Sequence, residues 1–123
     1  MDKETDSISQ HLPLKPVDFL VLMVLVEGDL HGYGIVKQIE ERSAGQVRLL
    51  PGNLYGVIRR MIELGWLAER ERRAVDADGD QRRRYYRITE PGRQVAAAEA
   101  SRLRQVIWDA EAHQLIEKEQ PSR

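Results

Sequence analysis

Apolar positions recur at two periods along this chain, and the switches between them mark out its elements. Residues 17–27 are apolar almost all round (Phe19, Leu20, Leu22, Met23, Val24, Leu25, Val26), the pattern of a helix buried on most sides. Pro16 suits its first position, where the missing N–H would have no partner anyway, and Gly28-Asp29 ends the run. A second helix is expected from about His31-Gly32 to about Arg42, with Tyr33, Ile35, Val36 and Ile39 as its apolar stripe. Gly45 is suited to a left-handed cap after it. Val47-Arg48-Leu49 alternates and predicts a short strand. Leu54, Val57, Ile58, Met61 and Leu64 predict a third helix with these side chains pointing inward, terminated at Gly65. Trp66-Leu67-Ala68-Glu69-Arg70 and Tyr85-Tyr86-Arg87-Ile88-Thr89 read as paired strands around a turn near Asp78-Gly79. Thr89 can cap a fourth helix, with Pro91 in its first turn, over residues 90–118. Its stripe is Val95, Ala96, Ala100, Leu103, Val106, Ile107, Ala110 and Leu115.

The order helix, helix, short strand, helix, hairpin, long helix predicts a mainly α fold with a small β-hairpin. This is a winged helix-turn-helix followed by a long C-terminal dimerisation helix. The expected divisions are a flexible N-terminal arm at 1–13, the winged helix-turn-helix at 14–89, the dimerisation helix at 90–118 and a tail at 119–123. The last helix carries more apolar surface than one small domain can cover. Its simplest partner is a second copy in a symmetric dimer, with Leu103, Val106, Ile107 and Ala110 at the contact.

Composition narrows the chemistry. With 123 residues the chain is sized for one modest core. It has no cysteine, which excludes disulfides, thiol catalysis and thiolate metal sites. His11, His31 and His113 are far apart and lack the spacing of a zinc helix. The charged start and an apolar run of only residues 19–26, against the roughly 20 residues a bilayer span needs, lead us to expect a cytoplasmic protein without membrane contact. No nucleophile–base pair, phosphate-cradling loop or metal spacing is visible, so neither catalysis nor a cofactor is expected. The net charge of -1 argues mildly against nucleic acid. Its distribution argues the other way: from Arg70 to Arg93 there are eight arginines against five acids.

That concentration makes double-stranded DNA the expected partner. Asn53, Tyr55, Arg59 and Arg60 lie off the third helix's apolar stripe. Asn can read adenine and Arg guanine in the major groove, and a Tyr hydroxyl can bond phosphate. The alternative is a solvated helix face. Gly56 could allow close approach to the DNA backbone. Arg82, Arg83 and Arg84 can neutralise phosphates or reach the minor groove. Strand alternation sends Arg83 away from the other two, and one of the three could pair with Asp78 or Asp80. Tyr85 and Tyr86 alternate likewise, so one belongs to the core. Tyr33 and Lys37 on the second helix are further phosphate candidates, while His31 reads first as a cap or packing residue. Asp76-Ala77-Asp78-Gly79-Asp80 fails as a calcium loop because its Gly falls too early. Trp108 could line an effector pocket between subunits, although aromatic residues at helical spacing more often pack.

Several motifs together resemble the PadR family of transcriptional regulators: His31-Gly32-Tyr33-Gly34-Ile35, Pro51-Gly52-Asn53-Leu54-Tyr55, Leu64-Gly65-Trp66-Leu67 and Arg83-Arg84-Tyr85-Tyr86-Arg87-Ile88-Thr89-Glu90-Pro91-Gly92-Arg93. The resemblance runs roughly over residues 14–110 and matches the family's shorter branch, with one C-terminal helix. It implies a homodimeric repressor of an inverted-repeat operator, usually under small-molecule control. Asn53 stands where that family often has Thr or Ser, and Trp66 where it often has a smaller aliphatic residue. The competing readings are a winged-helix module that binds another protein, and a small-molecule carrier with no DNA function.

Overall fold

The computed structural model describes residues 7–73 and 82–117, and only the backbone of residues 71–73, 82 and 83. Pro16 opens α1 (Pro16–Val26), whose Val21, Leu22, Val24 and Leu25 are buried as its all-round apolar pattern requires. The chain then forms β1 (Leu30–His31), α2 (Gly32–Arg42), α3 (Pro51–Glu63), β2 (Leu67–Arg73), β3 (Arg82–Ile88) and α4 (Glu90–Ala112). The strands make an antiparallel sheet in the order β1-β3-β2. Leu67 pairs with Ile88, Glu69 with Tyr86 and Arg73 with Arg82, while Leu30 pairs with Tyr86 on β3's other edge. This is the mainly α winged helix-turn-helix with a long last helix that the pattern predicts.

One core joins all the helices to the sheet. Ile35 and Ile39 of α2, Leu54, Ile58 and Met61 of α3, Leu67, Tyr86 and Ile88 of the sheet, and Val95 and Ala96 of α4 are all buried in it. Tyr86 is therefore the core member of the tyrosine pair, as alternation requires. The elements are tied at their ends. Arg93 donates to the Val26 carbonyl at the C-terminus of α1, and Arg42 pairs with Glu27 at 2.6 Å. Thr89 accepts from the Gly92 N–H as the cap of α4 and donates to the Gly65 carbonyl at 2.6 Å. Gly92 is required at that junction: a Cβ there would collide with the Trp66 carbonyl oxygen, a backbone atom that cannot swing aside.

Several expectations need correction. Val47-Arg48-Leu49 is not a strand. The Ser43 hydroxyl accepts the Val47 N–H at 2.9 Å, so a local bond takes the place of a ladder bond. The third strand is β1 instead, which pairs with β3. Tyr33 is 70% exposed and does not belong to the α2 stripe. Two residues before Ile35 is about 200° around a helix, on its far side. Leu64, the C-cap of α3, is exposed. Gly45 is left-handed as expected (φ 81), but Ala44 before it is left-handed too (φ 54) and directly follows the cap of α2. Ala100 lies off the buried face of α4, and the helix stops at Ala112, short of 118. There Gln114 (φ 63) turns left-handed, and the Gln114 and Leu115 N–H groups bond Glu111 and Ala110 carbonyls in a Schellman closure.

The described part of the expected N-terminal arm is docked. Ile8 and Leu12 pack on the core, and His11 meets the Trp66 ring edge-on at 5.1 Å. The Asp78-Gly79 turn, the Asp76-Ala77-Asp78-Gly79-Asp80 stretch and the tail at 119–123 lie outside the described residues.

Candidate nucleic-acid interface

The outward side of α3 follows from its buried side. With Leu54, Ile58 and Met61 inside, a turn of about 100° per residue centres Gly52, Gly56, Arg59 and Glu63 on the opposite face. Asn53 and Arg60 fall on one flank and Tyr55 on the other, and all seven are exposed. A Cβ at Gly52 or Gly56 would meet nothing within 4 Å, so the middle of this face presents bare backbone.

Tyr55 leans onto the N-terminus of α2. Its hydroxyl lies 2.7 Å from where a Gly32 side chain would begin, so Gly32 makes room for the ring. His31 caps α2, its Nδ1 accepting the Gly34 N–H at 3.2 Å, and it stacks beside Tyr33 at 6.3 Å. An open cleft of about 500 Å³ results, lined by His31, Gly32, Tyr33, Tyr55, Arg84 and Tyr86. The first turn of α2 carries no acid, which leaves the partial positive charge of its N-terminus uncancelled. Lys37 is exposed further along α2.

The wing stands beside this cleft. Arg84 is 70% exposed and bonds Glu69 across the β2–β3 pair at 2.7 Å. Of the three wing arginines it is thus Arg84 that has a described partner, Glu69; the expected pairing with Asp78 or Asp80 lies outside the described residues. For Arg82 and Arg83 the structure supplies only the register, opposite Arg73 and Arg72, and their side chains lie outside the described residues. Burial, reinforced by the Glu69 carboxylate and Tyr55 and opposed by Arg84, pushes the Tyr86 phenol above its ordinary pKa. It is a neutral packing residue beneath the cleft.

Arg60 differs from its neighbours. Its Nη2 bonds Asp18 of α1 at 2.6 Å, and the Asp18 side chain is only 10% exposed. Periodicity placed Arg60 on the wet face but held no hint of that partner. Arg59, Asn53 and Tyr55 remain turned outward together with Tyr33 and Arg84.

On α4, Leu103 and Ala110 are half-buried, while Val106 and Ile107 are close to half exposed. Trp108 is two residues from both Val106 and Ala110 and so points about 200° away from that stripe. It is 52% exposed, and Arg104 lies 6.0 Å from its ring centre. No described helix is long and apolar enough to cross a membrane.

The sequence matches the transcriptional regulator PadR-like family over residues 21–98. No curated protein matches it. Among solved structures it is similar to a PadR family transcription regulator from Clostridium difficile R20291, at 24% identity over 80% of this chain and 98% of that chain, with a TM-score of 0.69. A transcriptional regulator from Clostridium thermocellum is similar at 23% identity over 91% and 96%, with a TM-score of 0.63. Bacillus subtilis PadR, solved in complex with operator DNA, is 16% identical over 89% of this chain and 52% of that one, with a TM-score of 0.57. At such identities these likenesses speak for the fold.

Proposed function

This chain belongs to the PadR-like family of transcriptional regulators, and from that premise we propose that it is a homodimeric repressor of an inverted-repeat operator. The observation that carries the reading is the exposed cluster of Asn53, Tyr55 and Arg59 on α3, bracketed by Tyr33 at the start of α2 and Arg84 on the wing. The DNA-bound structure of Bacillus subtilis PadR supports it.

In this reading α3 enters the major groove, Asn53 and Arg59 face base edges, and bare backbone at Gly52 and Gly56 lets the helix sit close. Tyr55, Tyr33, Lys37 and the N-terminus of α2 face one phosphate strand. Arg82, Arg83 and Arg84 hold the flanking backbone. Arg60 serves first as the partner of Asp18, and its exposed part is available to phosphate. Leu103, Val106, Ile107 and Ala110 of α4 meet their copies, setting half-sites about one turn, ~34 Å, apart. A small-molecule effector docks against Trp108 and shifts the population of dimers whose reading helices fit the operator.

The test needs no knowledge of the operator. Binding to a random-sequence duplex is titrated at several salt concentrations. Lys37→Gln and Arg84→Gln should each reduce the slope of log affinity against log salt by about one, the loss of one phosphate contact. Arg104→Gln on α4 should leave it unchanged. Equal slopes for wild type and both interface variants would remove the proposed face from DNA and favour the protein-binding module.

A further inference from the structure

Two charged side chains are buried among the described residues, Asp18 and Glu99. They fasten the two ends of one short segment, residues 14–18. Glu99 of α4 is 2% exposed, and its Oε1 accepts the Leu14 N–H at 3.3 Å. Arg102 grips the same carboxylate with two bonds, of 2.8 and 2.7 Å, and holds its pKa below the ordinary carboxylate value. At the other end Asp18 holds Arg60 of α3 at 2.6 Å. The segment between is stiff: Leu14 is buried, Lys15 is extended (φ -65, ψ 146), and Pro16 has its φ locked by the ring.

The helices α3 and α4 also meet at a junction. Thr89 bonds Gly65 and Trp66, and Gly92 lies against the Trp66 carbonyl. Glu99 is seven residues beyond Gly92, about 10 Å along α4, and Arg60 is five residues before Gly65, about 7 Å along α3. The shared core already packs against both helices, and the link adds directed bonds to that packing. A stiff link between points some distance along each helix closes a triangle and fixes the angle. Burying charge is a poor way to gain stability, since apolar side chains of similar size do as well or better. Directed bonds at both ends of a link do fix position.

We propose that residues 14–18 are a strut, and that Asp18 and Glu99 are positioning residues that set the angle between α3 and α4. Through that angle they set the half-site spacing that the dimer accepts. The inference rests on the reading of α3 as the DNA-reading helix and α4 as the dimer helix.

The experiment is selection by the full-length protein from a pool of random duplexes, with sequencing to recover both the half-site and the distribution of spacings. Wild type should select one half-site at one dominant spacing. Asp18→Ala and Glu99→Met should select the same half-site while neighbouring spacings gain roughly tenfold, within the range seen for residues that couple two sites. The two changes act in series, so the double variant should be no broader than either single one. Glu99→Gln keeps an acceptor for Leu14 and should restore the narrow distribution. Arg84→Gln, a control, should weaken recovery at every spacing alike. Where Glu99→Met does not fold, Asp18→Ala decides, because it leaves the α4 end intact. A spacing distribution as narrow as wild type in Asp18→Ala, or additive broadening in the double variant, overturns the strut. Failure of wild type to enrich any inverted repeat overturns the DNA reading itself, and the strut with it.

Discussion

Gly92 and Gly56 carry opposite predictions, although both are helical glycines. The Cβ of an alanine at 92 would collide with the Trp66 carbonyl, so α4 would have to lift off the α3–β2 turn. Gly92→Ala should cost about 2 kcal/mol or more in a urea melt, as overpacking against atoms that cannot rotate away does. At Gly56 the space is open, and Gly56→Ala should stabilise the fold by roughly 0.5–1 kcal/mol through helix propensity. If α3 reads the groove as proposed, the same variant should bind DNA more weakly, because a methyl group would stand between backbone and groove. A gain in both stability and affinity would show that DNA does not touch this face. Caps were legible residue by residue: Thr89 before Glu90-Pro91 acts as its type suggests, and His31 caps α2 although His is not a favoured cap type. Asp18 and Glu99 were not. Each is an acid inside an apolar stretch, which was a signal, and Arg102 three residues on was within reach of Glu99, but Arg60 and the Leu14 N–H are 42 and 85 residues away in the chain. Only the fold brings them together.

Helices were legible where an apolar face repeats, and α1, α2 and α3 fall close to their expected spans for that reason. Short strands and the C-terminal end of α4 were not, because they are decided by few bonds. β1 is two residues long and exists because β3 offers a free edge to Leu30 and His31. The stretch after α2 has an alternating pattern too, but Ser43 captures the Val47 N–H first. The end of α4 turns on Gln114 taking a left-handed conformation, and no glycine marks the place. The attachment of α4 to the start of α1 carries a pH signature. The folded-state pKa of Glu99 is depressed, so its contribution is complete above the unfolded carboxylate value of about 4.3. It is lost as pH falls below that value and through the folded pKa. The acid limb of a stability–pH curve should therefore be flatter in Glu99→Gln than in wild type. Parallel acid limbs would mean that the buried carboxylate does not stabilise the native state.

The molecule carries its apolar excess and its basic charge at different places, which suits an assembly that joins on one side and grips on another. Leu103, Val106, Ile107 and Ala110 extend the buried stripe of α4 beyond the part that the other described residues cover. Charges directed into that stripe, as in the double variant Val106→Glu/Ile107→Glu, should yield monomers by light scattering at micromolar concentration and weaken operator binding by orders of magnitude. A dimeric double variant would place the interface elsewhere. The basic hairpin was legible as a local excess of arginine despite a net charge of -1. The ion pairs that hold Arg84 and Arg60 were not, because Glu69 and Asp18 reach them only through strand pairing and helix packing. The most direct measurement is selection of the organism's own genomic fragments by the purified protein at about 150 mM salt. If the chain is the repressor proposed, a short inverted repeat should be enriched, its half-sites about one helical turn apart. Weak binding that disappears as salt rises, with no sequence enriched, would contradict that reading.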